Sequence, residues 1–363
     1  MPLYMDRHNI PKEITADHVF EMHQQDLKVE HKFGCRGITY WCDETRKNAF
    51  CLIEAPNEKA LKDMHAFSHG DVPNEIVEVD ENIVKTFLGR INDPPNDENT
   101  EPNIIRDSAF RAIMSITFKK DSLMSNFKDL KVFVDELESS INEFEGTIVK
   151  HSFQNFLISF TSVTKAVCCA QKIQSDFQNF LKTNNQRFKL KIGLGAGLPV
   201  TEENGFFKET IQLTQWLCDA IKGEIVLSSQ VKFNYETENL NEFPSDINIK
   251  VLHMDDENFL KKLMKFIETI WNDTKIKVED FSKHLGYSKT QFYRKITSLT
   301  GKSPNTFLKD YRLNRALQLM DKQSGNISQI AFETGFNTPS YFSKCFHETF
   351  GISPSHYTKS DTK

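Results

Sequence analysis

Six of the chain's 11 histidines fall within the first 69 residues: His8, His18, His23, His31, His65 and His69. His65 and His69 are four residues apart and share one face of a helix. Asp6 and His8 alternate onto one face of a strand. His23 and Asp26, three apart, point the same way on a helix. Neutral imidazole with carboxylates is a donor set for nickel, zinc or copper, and no Cys-x-x-Cys pair narrows the choice. The candidate ligands are His65 and His69 first, then His8 and His23, with Asp6 and Asp26 completing the shell. The plainer alternative is a solvated histidine face on a polar helix. A third is that Cys42 and Cys51 are redox-responsive thiols, although no neighbouring pattern would lower their pKa.

A second group of residues lies near the carboxyl end. Ser288, Lys289, Gln291, Arg294 and Lys295 form one set; Thr338, Ser340, Tyr341, Ser343, Lys344 and His347 form another. Arg and Lys bond guanine edges, Gln bonds adenine, and Ser or Thr bond bases or phosphates, so the chemistry is that of double-stranded DNA recognition. Charge agrees with this. From Asn258 onward, 17 Lys and Arg stand against 9 Asp and Glu, a net +8, and the preceding residues carry −13. A basic end on an acidic body suits a chain whose last part meets a polyanion.

These residues must be held by a repeat. Val278–Ser282 through Gly286-Tyr287-Ser288 aligns with Ile327–Ala331 through Gly335-Phe336-Asn337 at an offset of 49, and Phe292/Tyr341, Tyr293/Phe342 and Lys295/Lys344 continue it. Gly301-Lys302-Ser303-Pro304 then matches Gly351-Ile352-Ser353-Pro354 at an offset of 50, which places the extra residue late in the unit. Each copy reads as helix, glycine turn, helix. Phe281 and Leu285 precede Gly286, and Phe292, Ile296 and Leu299 follow on the next helix. Pro304 opens a long helix to Asp321 that joins the copies. The second helix of such a pair fits the roughly 12 Å major groove, so two units can enter successive grooves.

Residues 258–358 resemble the double helix-turn-helix domain of the AraC/XylS transcription regulators. The matching pieces are Ala331-x-x-x-Gly335-Phe336, Tyr341-Phe342-Ser343-Lys344-x-Phe346, Phe350-Gly351-Ile352-Ser353-Pro354 and the linking run from Phe307 to Ala316. The resemblance implies promoter DNA as partner and RNA polymerase as a further contact; a homodimer formed through the first two blocks would let paired tails read two half-sites. Arg312 and Arg315 on the linking helix are open between structural, phosphate-contacting and base-reading roles.

The chain length of 363 residues calls for two or three domains. Gly89 to Arg106 is rich in Pro, Asn and Asp without apolar periodicity, which predicts a linker over 89–106. Blocks of 1–88, 107–252 and 256–358 result. In the middle block, strands at 113–118, 147–149, 156–160, 190–196 and 224–227 alternate with helices at 127–144, 163–181 and 209–221, an α+β sandwich. Gly146–Lys150, Ile192–Gly197 and Gly223–Ser229 resemble class III nucleotide cyclases. That family holds two magnesium ions on carboxylates, but Gln154 stands in the expected Gly-Asp-Gly and Lys119-Lys120 at the other position. Gln212 and Trp216 replace the expected Asn and Arg. A degenerate, non-enzymatic domain is therefore expected.

The first block reads as a compact βαββαβ ferredoxin-like α+β sandwich. It resembles a family of small domains that includes nickel-responsive proteins, through Met5–His8, Thr39-Tyr40-Trp41-x-Asp43, Ala49–Pro56, His65-x-x-x-His69-Gly70 and Ile76-x-Glu78-Val79. The resemblance implies Ni²⁺ or another divalent transition metal. No run of about 18 apolar residues spans a membrane, and the amino end lacks a secretory layout. Seven cysteines without a disulfide pattern agree with a cytoplasmic location. The expected function is a multidomain, metal- or ligand-controlled transcription regulator with an all-α DNA-binding tail. The alternatives are a cyclase-type enzyme fused to a DNA module, and a metal-storage protein with a vestigial tail.

Overall fold

The computed structural model describes residues 1–94, 104–120, 130–152, 154–184, 188–240, 242, 244 and 248–360. At the amino end, β1 (Leu3–Asn9), α1 (Ala16–Val29), β2 (Arg36–Asp43), β3 (Asn48–Glu54), α2 (Glu58–Ser68) and β4 (Glu75–Val79) form the expected ferredoxin-like unit. Its sheet is antiparallel in the order β2-β3-β1-β4. Strand alternation sends Tyr4, Asp6 and His8 beneath the helices, whereas Met5, Trp41, Phe50, Leu52 and Val77 form the opposite face. A further helix, α3 (Glu81–Leu88), was not anticipated. Asp80 caps it through Ile83 N at 3.1 Å, and Gly89 ends it at φ 84°, a left-handed position that favours glycine.

The middle block contains β5 (Arg111–Lys120), α4 (Lys131–Glu143), β6 (Thr147–His151), β7 (Asn155–Phe160), α5 (Val163–Asn184), β8 (Phe188–Gly197) and α6 (Lys208–Ala220). It continues with β9 (Ile225–Leu227), α7 (Ser229–Glu238) and β10 (Ile249–Val251). The sheet order is β10-β9-β8-β5-β7-β6, with β9 and β10 parallel to their neighbours. The start of the helix expected over 127–144, residues 127–129, lies outside the described residues, as does Phe153. Helices α4 and α5 cover one sheet face with Phe118, Phe133, Phe156 and Phe177 between them. Helix α6 lies on the other face, close against β8. A Cβ on Gly193 would come within 2.4 Å of Thr214 O, and one on Gly197 within 2.2 Å of Thr210 Oγ1. The glycines from 193 to 197 thus serve helix-on-strand packing.

The bare face of the first sheet packs on the middle block. Met5, Trp41, Phe50, Leu52 and Val77 share one core with Phe87, Leu88, Ile113, Val200 and Phe207. Phe87 stacks on Phe207 at 4.9 Å, and the Arg111 guanidinium donates to Phe87 O at 2.8 Å and Leu88 O at 3.2 Å. Both ends of the segment expected as a linker are anchored. Arg90 lies 4.5 Å over the Trp41 ring and donates to Tyr40 O, and buried Ile105 N donates to Tyr40 Oη at 3.1 Å.

The carboxyl block is helical: α8 (Met254–Ile270), α9 (Val278–Leu285), α10 (Lys289–Thr300), α11 (Pro304–Asp321), α12 (Ile327–Glu333), α13 (Pro339–Phe350) and α14 (Pro354–Ser360). The first helix-turn-helix unit is fused to the middle block by a continuous core of Trp216, Leu217, Ile221, Leu263, Phe292 and Ile296. Lys222 N also donates to Leu299 O at 2.9 Å. The second unit has its own core around Leu313, Ile330, Phe342 and Phe346.

One expectation about the repeat needs correction. Gly286 and Gly335 keep the offset of 49, but the caps Ser288 and Thr338 already stand at 50. Phe292 pairs with Phe342, both fully buried, whereas Tyr341 is 54% exposed. The extra residue sits in the turn, because only there can the chain lengthen without rotating a buried helix face.

Candidate metal centre and nucleic-acid interface

All six metal-ligand candidates converge beneath α1 and α2. Asp6 and His8 come from β1, His23 and Asp26 from α1, His65 from the last turn of α2 and His69 from the position that caps it. Asn57 fixes the start of α2 by accepting from Ala60 N at 3.0 Å. The solvated-face alternative is overturned: Asp6, His8, His23, Asp26 and His65 are all buried.

His65 is the hub. Its Nε2 lies 2.9 Å from Asp6 Oδ2, and its Nδ1 lies 3.1 Å from both Asp26 Oδ2 and His69 Nε2. His69 Nε2 lies 3.3 Å from Asp26 Oδ1. His8 Nδ1 sits 2.8 Å from Asp71 Oδ2 and its Nε2 3.5 Å from Asp6 Oδ1. Two triplets, Asp6–His8–Cys51 and Asp26–His65–His69, each hold ligand atoms within 4.8 Å of one another. All of these but Asp6 line a cavity of about 20 Å³, room for one ion or one water.

Burial alone would raise the Asp6 carboxyl, yet His8 and His65 hold it well below the usual carboxylate range. Burial likewise opposes ionisation of Asp26, and His65 and His69 outweigh it. Burial works against charge on the histidines too, but Asp6 and Asp71 push His8 up to about 10, and Asp26 and Asp6 push His65 up to about 9. Buried His23 Nε2 makes no hydrogen bond among the described residues; its nearest charge is Asp93 Oδ2 at 3.5 Å. Buried imidazoles packed against carboxylates, with the Asp93 carboxylate 3.5 Å from His23 Nε2, are chemistry that fits a borderline dication.

Sequence reasoning missed Asp71 and Asp93, and it gave Cys51 a different role. Cys51 pairs with Asp6 across β1 and β3, and its N–H donates to Asp6 Oδ1 at 3.0 Å. Strand parity would have revealed it. Burial pushes its thiol well above the usual range, and that of Cys42 up to about 11, so neither is poised as a reactive thiolate.

The nucleic-acid candidates lie at the start of α10 and α13. Ser288 and Thr338 are the caps, accepting from Gln291 N and Tyr341 N at 3.2 Å each. Lys289, Gln291, Arg294, Ser340, Tyr341, Lys344 and His347 are exposed, and Ser343 is half-buried. Lys289 pairs with Glu279 at 2.6 Å. Lys295 is a correction. It turns back to α8, where it pairs with Asp256 at 2.8 Å and lies over the Phe259 ring, because that carboxylate and ring are within reach of its long side chain. Arg312 is structural: its guanidinium donates to Trp271 O at 2.6 Å and Asp273 O at 2.7 Å. Arg315 covers the Trp271 and Tyr311 rings.

Residues 281–360 match the helix-turn-helix domain family, and residues 4–79 match the family described as nickel responsive protein SCO4226-like. Among relatives, a protein named histidine kinase P4 from Formosa agariphila is 42% identical over 114 residues, covering 31% of this chain and 8% of that protein. The HTH-type transcriptional regulator ExsA of Pseudomonas aeruginosa is 31% identical over 107 residues, 30% of this chain and 38% of ExsA. The crystal structure of SCO4226 from Streptomyces coelicolor A3(2) is 32% identical, covers 21% of this chain and 94% of that one, and aligns with a TM-score of 0.20. The chain spans well under half the length of the curated relatives named. No helix among the described residues is long and apolar enough to cross a membrane.

Proposed function

We propose that this chain, which carries an AraC-type helix-turn-helix domain at its carboxyl end and a nickel-responsive SCO4226-like domain at its amino end, is a transcription regulator whose grip on promoter DNA is set by a metal ion. The observation that carries this reading is a coincidence in one chain. Histidine and aspartate candidate ligands from three separate elements gather around one small cavity, and the candidate base-reading residues of α10 and α13 stay exposed.

Asp26, His65 and His69, or Asp6, His8 and Cys51, would hold the ion, with His23 as a further donor, nickel favoured by the family match and zinc or copper as competitors. A bound ion would supply positive charge to the buried carboxylates, in place of protons that the imidazoles otherwise carry. Asp6 and His8 alternate on β1 with Met5 and Arg7, which face the middle block. A shift of β1 therefore presses on the core shared with Phe87 and Phe207. The middle block is in turn continuous with the first helix-turn-helix unit. A coupling of about 1–3 kcal/mol between metal and DNA is the usual scale for such an arrangement.

The middle block serves in this reading as a connector with a degenerate cyclase-like fold. Gln154 and Lys119, the latter paired with Asp219 at 3.1 Å, offer no carboxylate anchor for magnesium. A homodimer would have to use surfaces other than the two sheet faces, which cover one another within the chain. RNA polymerase is a further partner of the regulator. Genome-wide mapping of bound sites with and without added nickel tests the proposal: discrete promoter sites whose occupancy changes with nickel are expected, and uniform background under both conditions would refute it.

A further inference from the structure

We propose that Arg312 is the positioning residue that sets the angle between the two DNA-reading helices, and through it the spacing of the two base sets that the chain accepts. The proposal rests on the DNA-binding reading above and goes beyond it, since Arg312 itself reads no base. Two helix-turn-helix units enter successive grooves about 34 Å apart. One base pair more or less between the contacted sets moves the second by about 3.4 Å and turns it by about 35° around the duplex. Discrimination between spacings therefore needs a stiff joint between α10 and α13.

Helix α11 alone does not supply that stiffness. Its 18 residues, about 27 Å long, change cores partway along. Phe307, Leu308 and Tyr311 pack in the core of the first unit, whereas Leu313, Ala316 and Met320 pack in that of the second. Arg312 stands at the changeover. Long helices are rarely straight, so a brace at this point fixes the angle.

Three elements meet in that brace. The Arg312 guanidinium donates through Nε to Trp271 O at 2.6 Å and through Nη2 to Asp273 O at 2.7 Å, filling acceptors at and just beyond the end of α8. The Gly335 turn of the second unit closes on the same point. A Cβ there would lie 2.9 Å from both Arg312 Nε and Trp271 O, and its φ of 78° is left-handed. The other end of α8 is anchored in the middle block, where the buried Glu257 carboxylate accepts from Ser229 N. The second unit is thereby referred to the body of the chain through this guanidinium. A planar fork with two donors engaged holds an angle that a flexible ammonium does not.

Electrophoretic shift of the full chain tests the assignment, on a selected promoter fragment and on versions with one base pair added or removed between the two contacted sets. The wild type is expected to lose about tenfold or more at either change, because the base contacts of the second unit are forfeited. Arg312→Ala is expected to lose no more than about threefold over the same fragments, with base preference inside each set unchanged. Arg312→Lys should fall between the two, and Gly335→Ala, which wedges the joint from the opposite side, should flatten the profile as Arg312→Ala does. Circular dichroism and thermal unfolding check the fold of each variant; should Arg312→Ala fail to fold, the comparison is made with Arg312→Lys. On fragments that the wild type selects, a variant profile as steep as that of the wild type would overturn the assignment and leave the DNA reading standing. Equal weakening at every spacing, with the salt slope reduced by about one, would mark a phosphate contact and overturn it as well. A wild-type chain that selects no fragment would sink both.

Discussion

Replacing Asp26 with Asn alters the candidate metal site by one charge and almost no volume. Asp26 Oδ2 lies 3.1 Å from His65 Nδ1, and Oδ1 lies 3.3 Å from His69 Nε2. If the carboxylate ligates or orients these rings, its loss weakens nickel binding by about 10–100-fold, or about 1.4–2.7 kcal/mol. At nickel equal to 100 times the wild-type Kd, the ion stabilises the wild type by about 2.7 kcal/mol, whereas the variant would keep only about 0.4–1.4 kcal/mol. Titration calorimetry gives the affinities, and urea unfolding with and without nickel gives the stabilisation, with buried Trp41 as a fluorescent reporter in the first block. A variant whose affinity stays within twofold of wild type and whose nickel stabilisation is unchanged would refute the ligand assignment.

Arg294→Ala should weaken binding to a selected promoter fragment by about 1–3 kcal/mol and relax preference at one base position, by electrophoretic shift on a substituted fragment set. Lys295→Ala should leave that preference intact, because its side chain pairs with Asp256; altered base preference would contradict the inward placement. Gly193→Ala should destabilise the middle block by about 1–3 kcal/mol in denaturant unfolding, since the new Cβ meets backbone of α6. Phe87→Ala should cost about 3–5 kcal/mol and speed proteolysis between residues 89 and 106, because it removes the ring stacked on Phe207; unchanged cleavage would show that the first block is held elsewhere.

The parts of the fold legible in the sequence were those with strong period and punctuation. Alternation along β1, the continuous apolar run of β3 and the glycine turns at Gly286 and Gly335 marked their elements because each is tied to a local steric rule. Short or weakly patterned pieces escaped. Strand β10 has only three residues, and α3 lies directly after β4 with no loop signal between. The candidate metal ligands could be chosen by type and spacing, but their burial could not, since α2 reads as polar until Asp6 and Asp26 are seen to close over His65. Asp71 and Asp93 reach the cluster from irregular segments, where no periodicity predicts direction. The glycine run at 193–197 resembled a nucleotide-enzyme motif, and its structural use is close helix packing.

The most direct test of the central claim is fluorescence anisotropy of the full chain on a promoter fragment recovered by site mapping, titrated with and without saturating nickel, in wild type and Asp26→Asn. A coupling of about 1–3 kcal/mol predicts a DNA affinity that changes about 5–150-fold with nickel in the wild type, and a smaller change in the variant at the same metal concentration. An affinity for that fragment that is identical with and without nickel, in a wild-type chain shown to bind the metal, would contradict the account.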